Sequence, residues 1–95
     1  MGLQGYHGFL SGIVQGVGMR FSVKRAAETY GLRGYVRNLK DGRVEVYLEG
    51  EKEVVSKFKQ ILKENELGVG RIDHVEGDWI EPKPEQALHT FEIRR

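Results

Sequence analysis

The pattern that decides the fold lies in residues 6–31, YHGFLSGIVQGVGMRFSVKRAAETYG. Residues 6–14 alternate like a strand, although the pattern does not tell which face is buried. Glycines interrupt it within residues 15–18. From Met19 onward, apolar residues recur at intervals of three and four, which predicts a helix that ends at Gly31.

A hairpin follows this first strand and helix. Residues 34–39 and 43–49 are strand-like on either side of an Asp-Gly pair, which is a strong turn signal. In the second strand Glu45, Tyr47 and Glu49 alternate with aliphatic residues, so we expect that strand to have one solvent-facing side.

The last part of the chain predicts a second helix and two strands. Acidic residues after the hairpin precede apolar positions at helical spacing, and residues 71–80 and 90–94 are strand-like. Gly77 is expected to mark a bulge, and Pro82 and Pro84 to bracket a loop.

The resulting order, βαββαβ, predicts an α+β fold of the ferredoxin-like (split βαβ) type, with two helices packed on a mostly antiparallel sheet. A length of 95 residues fits a single domain over residues 1–95. Because this fold hosts many functions, it does not decide the function.

The composition excludes several chemistries. The chain has no cysteine, so it has no disulfide scaffold, no cysteine-held zinc and no thiol nucleophile. His7, His74 and His89 lie far apart and lack metal-ligand spacing. No apolar run approaches the ~20 residues of a membrane span, and the N-terminus lacks a signal-peptide pattern. We therefore predict a cytoplasmic protein with no membrane partner.

The charge is divided unevenly along the chain. Residues 1–48 hold seven Lys/Arg and three Asp/Glu, a balance of +4, whereas the whole chain has a net charge of +1. So small a net charge argues against a nucleic-acid partner. The basic first half suits a small anion, although chance scatter of surface charge would give the same count.

Two places could carry chemistry. In residues 15–20, two glycines, a helix N-terminus and Arg20 together predict an anion cradle, since backbone N–H groups and a planar guanidinium both bind phosphoryl oxygens. The alternative, which involves no ligand, is a glycine-rich turn followed by a solvent-exposed Arg20. Asn38 carries a donor and an acceptor that could direct a water, or it could cap the turn that follows.

Two stretches resemble the signatures of a known family. GIVQGVGMR at 12–20 resembles the first acylphosphatase signature, Gly-x-Val-Gln-Gly-Val-x-Phe/Met-Arg, and GYVRNLKDGRV at 34–44 resembles the second. Residues 78–82 and 91–93 look like the family's last two strands. The resemblance therefore runs through the chain and implies the same ferredoxin-like fold.

The resemblance implies an enzyme, an acylphosphatase, that hydrolyses acyl phosphates to a carboxylate and phosphate. It implies that Arg20 binds the phosphoryl oxygens and that Asn38 orients the attacking water, whose proton passes to the substrate's own phosphoryl oxygen. Backbone N–H groups of the loop would complete the phosphate site; they belong to Gln15, Gly16, Val17, Gly18 and Met19.

The same resemblance implies no metal and no cofactor, a small-molecule substrate, and inorganic phosphate or sulfate as a ready anion for the site. We expect a monomer. Residues 1–5 have no counterpart in the family pattern, and we expect them to be partly disordered.

Two rival functions come from other classes. One is an acylphosphatase-like domain that handles carbamoyl phosphate within a larger maturation protein. The other is a ferredoxin-like module that binds a small anion or RNA without catalysis, which the intact Arg20 and Asn38 argue against.

Overall fold

The computed structural model describes residues 3–82 and 88–95, which contain five strands and two helices. In chain order they are β1 (Leu3–Ile13), α1 (Met19–Thr29), β2 (Arg33–Asn38), β3 (Val44–Glu51), α2 (Lys52–Lys63), β4 (Arg71–Ile80) and β5 (Phe91–Arg94). The predicted βαββαβ order is therefore confirmed, and the short last strand predicted at residues 90–94 is β5. Neither described helix is long and apolar enough to cross a membrane.

The strands form one sheet in the order β4-β1-β3-β2-β5. All pairs are antiparallel except β2 with β5, which are parallel. Because β1 and β2 both pair antiparallel with β3, they run in the same direction and end at the same edge of the sheet. The register shows this directly, since Leu10 of β1 and Asn38 of β2 both lie opposite Val44 of β3.

The core lies between the sheet and the two helices. Of the two faces of β1, the one with Tyr6, Leu10 and Val14 is buried, each side chain being at most 3% exposed. Helix α1 adds Met19 and its following apolar positions to this core, and α2 adds Phe58 among others. Burial of these apolar surfaces supplies most of the driving force for the fold.

The expectation that one side of β3 faces solvent is wrong. Glu45 and Glu49 are buried, at 6% and 1% exposed, on the face opposite the helices. There Tyr47 donates to Glu49, and Tyr35 of β2 donates to Glu45. Side chains of the two neighbouring strands cover the outer face of a central strand. The alternating pattern of that strand's own residues cannot show this.

Of the N-terminal segment expected to be partly disordered, residues 3–5 begin β1, where they pair with residues 49–51 of β3. The expected bulge at Gly77 is wrong. Gly77 pairs directly with Gly8, and the register shift of β4 lies instead opposite Ser11 and Gly12. A Cβ at Gly77 would lie 2.2 Å from the His7 carbonyl oxygen, so this glycine serves a close backbone approach.

The predicted loop between Pro82 and Pro84 falls partly outside the described residues, as do the first two residues of the predicted N-terminal segment.

Candidate functional site

The site is assembled at one edge of the sheet, where β1, β2 and β5 end. Asn38 is the last residue of β2, and β1 leads directly into the loop before α1. Arg37 pairs with Arg94 in the parallel β2–β5 ladder, so the residues after them, Asn38 and Arg95, are brought to the same level. Sheet topology thus brings together residues that are far apart in sequence.

The loop between β1 and α1 has the backbone that an anion cradle requires. Gly16 and Gly18 have φ angles of 74° and 79°, in the left-handed region that favours glycine. Gly18 is the N-cap of α1 and makes no side-chain cap, and the first turn contains no acidic residue. The first N–H groups of a helix have no intrahelical acceptor and carry partial positive charge, so this end of α1 suits an anion.

A cavity of about 430 Å³ contains most of the predicted site. Gly16, Gly18, Met19, Arg20 and Asn38 all line it. Met19 also belongs to the core, at 2% exposed, as expected for its place in the helical pattern. The cavity therefore brings the two separate sequence motifs to one place.

Arg20 is half-buried on the first turn of α1 and faces this cavity. None of the ion pairs within residues 3–82 and 88–95 uses its guanidinium. A guanidinium without a carboxylate partner keeps its planar pair of donors for a ligand. Arg25 on the same helix also lacks a carboxylate partner in the described structure, so Arg20 differs from it by lining the cavity.

Asn38 has a buried side-chain oxygen for which the described part of the chain supplies no hydrogen-bond donor. The turn that follows is capped by Asp41, whose Oδ1 accepts from the Arg43 N–H at 3.0 Å, so Asn38 is not needed as its cap. An unpaired buried acceptor costs about 1–3 kcal/mol. Asn38 lines the same cavity as Arg20, so this oxygen is available to a ligand or a water.

Gln15 and Val17 are placed differently from the other predicted residues. The Gln15 side chain turns toward the β2–β3 hairpin, where its Nε2 donates to the carbonyl oxygens of Leu39 and Arg43 at 2.8 and 2.9 Å. Val17 packs against the core. Only the backbone N–H groups of these two residues remain for the predicted phosphate contacts.

The Gln15 side chain ties the loop to the hairpin that carries Asn38, so we predict that it positions one part of the site against the other. Gln15→Ala is expected to lower kcat about 10-fold, because small displacements of reacting groups have large effects on rate. It should also lower the free energy of unfolding by about 1–2 kcal/mol, since two hydrogen bonds are lost, although both carbonyls keep a backbone N–H donor.

Steady-state kinetics and urea unfolding measure these two effects. Gln60→Ala is the matched control, because the described structure gives the Gln60 amide a single side-chain hydrogen bond, to exposed Glu64 just after α2. A Gln15 variant that loses stability yet keeps full kcat would show that the two hydrogen bonds are only structural.

Several residues of the cavity were missed by the sequence predictions. Val14 directly follows β1, Phe21 follows Arg20, and Ile93 and Arg95 come from β5 and the residue after it. Phe21 had a detectable signal, since it is a large apolar residue off the buried stripe of α1. Ile93 and Arg95 had none, because only the parallel β2–β5 pairing brings them here.

A second cavity, of about 570 Å³, lies elsewhere, and none of its described lining residues belongs to the predicted site. It borders the polar cluster on the outer face of the sheet, where Glu45 bonds with His7 and Arg37. Burial raises the pKa of Glu45, but the hydrogen bonds and positive charge of these two partners outweigh it, and the pKa is lowered. Within the described ranges, no group of three or more His, Asp or Glu side chains is placed to hold a metal ion.

Sequence comparisons agree with these motifs. The family model described as Acylphosphatase matches residues 6–93. A protein from Pseudomonas paraeruginosa named acylphosphatase is 46% identical over 89 residues, which cover 94% of this chain and 93% of that protein.

Solved structures share the fold over almost the whole chain. The acylphosphatase from Bacillus subtilis superposes with a TM-score of 0.85 at 27% identity, covering 97% of this chain and 99% of that one. Full-length HypF, solved in a phosphate- and nucleotide-bound form, superposes with a TM-score of 0.81 at 29% identity; the match covers 98% of this chain but only 12% of HypF. The chain therefore belongs to the acylphosphatase family, whose activity is the hydrolysis of acyl phosphates.

Proposed function

We propose that residues 15–20 hold the phosphoryl group of the acyl phosphate and that Asn38 orients the water that hydrolyses it. The observation that carries this proposal is the buried, unpaired Oδ1 of Asn38 in the same cavity as Arg20, an arginine without an ion-pair partner in the described ranges. The reaction converts the mixed anhydride and one water into a carboxylate and phosphate.

In the binding step, the N–H groups of residues 15–19 and the Arg20 guanidinium surround the phosphoryl oxygens. The left-handed Gly16 and Gly18 allow successive N–H groups to converge, and the α1 N-terminus adds its partial positive charge. These donors are held in place before the reaction, so they stabilise charge that develops on the phosphoryl oxygens without reorganising.

In the hydrolytic step, the Asn38 Oδ1 accepts a hydrogen bond from the attacking water and so fixes its position. The water oxygen forms a bond to phosphorus while the bond from phosphorus to the acyl oxygen breaks, and the carboxylate leaves with that electron pair. Positioning and charge stabilisation supply most of the catalysis in phosphoryl transfer.

The water's proton passes to the substrate's own phosphoryl oxygen, so the step requires no protein base. The described lining of the cavity supports this route, since it contains no His, Asp or Glu. A carboxylate is already a good leaving group, which removes the need for a protein acid on the other side.

We also propose a single catalytic domain over residues 1–95 that works as a monomer in the cytoplasm, without a cofactor. The match of the family model to residues 6–93 supports the single domain. Inorganic phosphate or sulfate is expected to bind in the cradle as a product or product-like anion.

The test follows the loss of benzoyl phosphate by absorbance, with and without EDTA. We expect turnover at the same rate in both, because no step of the proposed mechanism uses a metal ion. Lack of turnover at micromolar enzyme would contradict the function, and turnover abolished by EDTA would contradict the metal-free mechanism.

A further inference from the structure

Two apolar side chains in the cavity remain largely exposed. Phe21 is 58% exposed and Ile93 is 40% exposed, although the core holds most other large apolar residues. Scattered exposed apolar residues are normal on a protein surface. These two differ because they line the same cavity as Arg20 and Asn38 while coming from different elements, the first turn of α1 and β5.

The cavity has chemically distinct parts. Gly16, Gly18 and Arg20 supply N–H groups and positive charge, which suit the phosphoryl group. Phe21 and Ile93 offer only apolar surface, beside the buried Val14 and Met19. An acyl phosphate has the same division, since a charged phosphoryl group is joined to an acyl chain.

The Phe21 ring is also contacted by a neighbouring side chain. The guanidinium of Arg25, one helical turn later, lies 5.8 Å from the ring centroid. A cation over the ring face favours one placement of the ring. The ring therefore has a preferred placement along the cavity, although more than half of its surface stays exposed.

We propose that Phe21 and Ile93 select acyl phosphates whose acyl group is apolar, with aryl groups preferred over short polar ones. This inference rests on the proposed function, because it assumes that the phosphoryl group occupies the cradle. An aryl ring would pack against Phe21, and aromatic pairs prefer offset or edge-to-face contacts that add to the burial of area.

The charged side chains that line the cavity, Arg20 and Arg95, are both cationic. They disfavour acyl groups that carry an ammonium, because like charges repel. Arg95 also defines the main rival, a preference for acyl phosphates with a second carboxylate, which Arg95 would attract.

The experiment compares kcat/KM for benzoyl and acetyl phosphate in the wild type and in Phe21→Ala. The ratio of kcat/KM for benzoyl phosphate to kcat/KM for acetyl phosphate is expected to fall about 3- to 10-fold in the variant, the range set by one aromatic contact. Dividing one ratio by the other removes the intrinsic difference in reactivity between the substrates. Ile93→Ala should lower the ratio in the same direction.

Ile80→Ala is the control, since Ile80 is similarly exposed at 43% but lines the other cavity. Its ratio should equal that of the wild type. If the wild type hydrolyses both substrates but Phe21→Ala leaves the ratio unchanged, the selection by Phe21 is wrong while the proposed function stands. The proposed selection would also be wrong if the wild type hydrolysed succinyl phosphate faster than benzoyl phosphate and if Arg95→Gln removed that preference. Failure of the wild type to hydrolyse any of the three would instead reject the proposed function.

Discussion

Replacing Arg20 with alanine is expected to lower kcat for benzoyl phosphate at least about 100-fold, the effect of removing one transition-state donor in comparable sites. The guanidinium has no carboxylate partner in the described structure, so its removal breaks no ion pair there. The free energy of unfolding should therefore change little. The inhibition constant of inorganic phosphate should rise, because phosphate loses its cationic contact.

Arg20→Lys is expected to restore little of this activity. Lysine keeps the positive charge but cannot form the planar grip on two oxygens. Lys63→Ala serves as the control for loss of charge, since it removes one positive charge from α2, away from the cavity lining. If Arg20→Lys were nearly as active as the wild type, Arg20 would act as a point charge and the two-oxygen grip would be wrong.

Replacing Asn38 with alanine is expected to lower kcat by at least about 100-fold as well, but with a different signature. Asn38 is proposed to hold the water rather than the phosphoryl group, so the inhibition constant of inorganic phosphate should change much less than in Arg20→Ala. Steady-state kinetics with phosphate as a competitive inhibitor separates the two roles. Near-normal turnover of Asn38→Ala would remove the water-positioning role.

The free energy of unfolding provides a second, independent test of the role of Asn38. Since its buried oxygen has no donor in the described structure, Asn38→Ala should leave the free energy of unfolding unchanged or raise it. Asn65→Ala is the matched control: the Asn65 side chain makes both a donor and an acceptor bond to the backbone of Ile72, at 3.1 and 2.6 Å. That variant should lose stability and keep its activity.

Much of the site was predictable because its signals are local. The alternation in residues 6–14, the glycines at 16 and 18 and the apolar spacing from Met19 onward indicated a strand, a loop and a helix, and the structure has each of them. In a glycine-rich loop before a helix, the groups that bind an anion are all local, since the N–H groups and the helix dipole arise from neighbouring residues. For this reason the predicted cradle needed no knowledge of the rest of the chain.

The errors arose where a residue's surroundings come from other strands. Glu45 and Glu49 were expected to face solvent, but the strands on both sides of β3 contribute His7 and Tyr35, which bond with Glu45, and Tyr47 of β3 itself donates to Glu49. The strand structure of residues 3–5 has the same origin, because these residues pair with β3 and no local pattern indicates that pairing.

By itself, the sequence determined the elements, their order, the loop that forms the proposed cradle and the family motifs that contain Arg20 and Asn38. The tertiary structure decided the rest. It placed Asn38 level with Leu10, turned the Gln15 side chain onto the hairpin, and brought Phe21 and Ile93 into one cavity. The physical reason is that strand pairing, and above all the parallel pairing of β2 with β5, joins residues through long-range backbone hydrogen bonds that leave no local pattern in the chain.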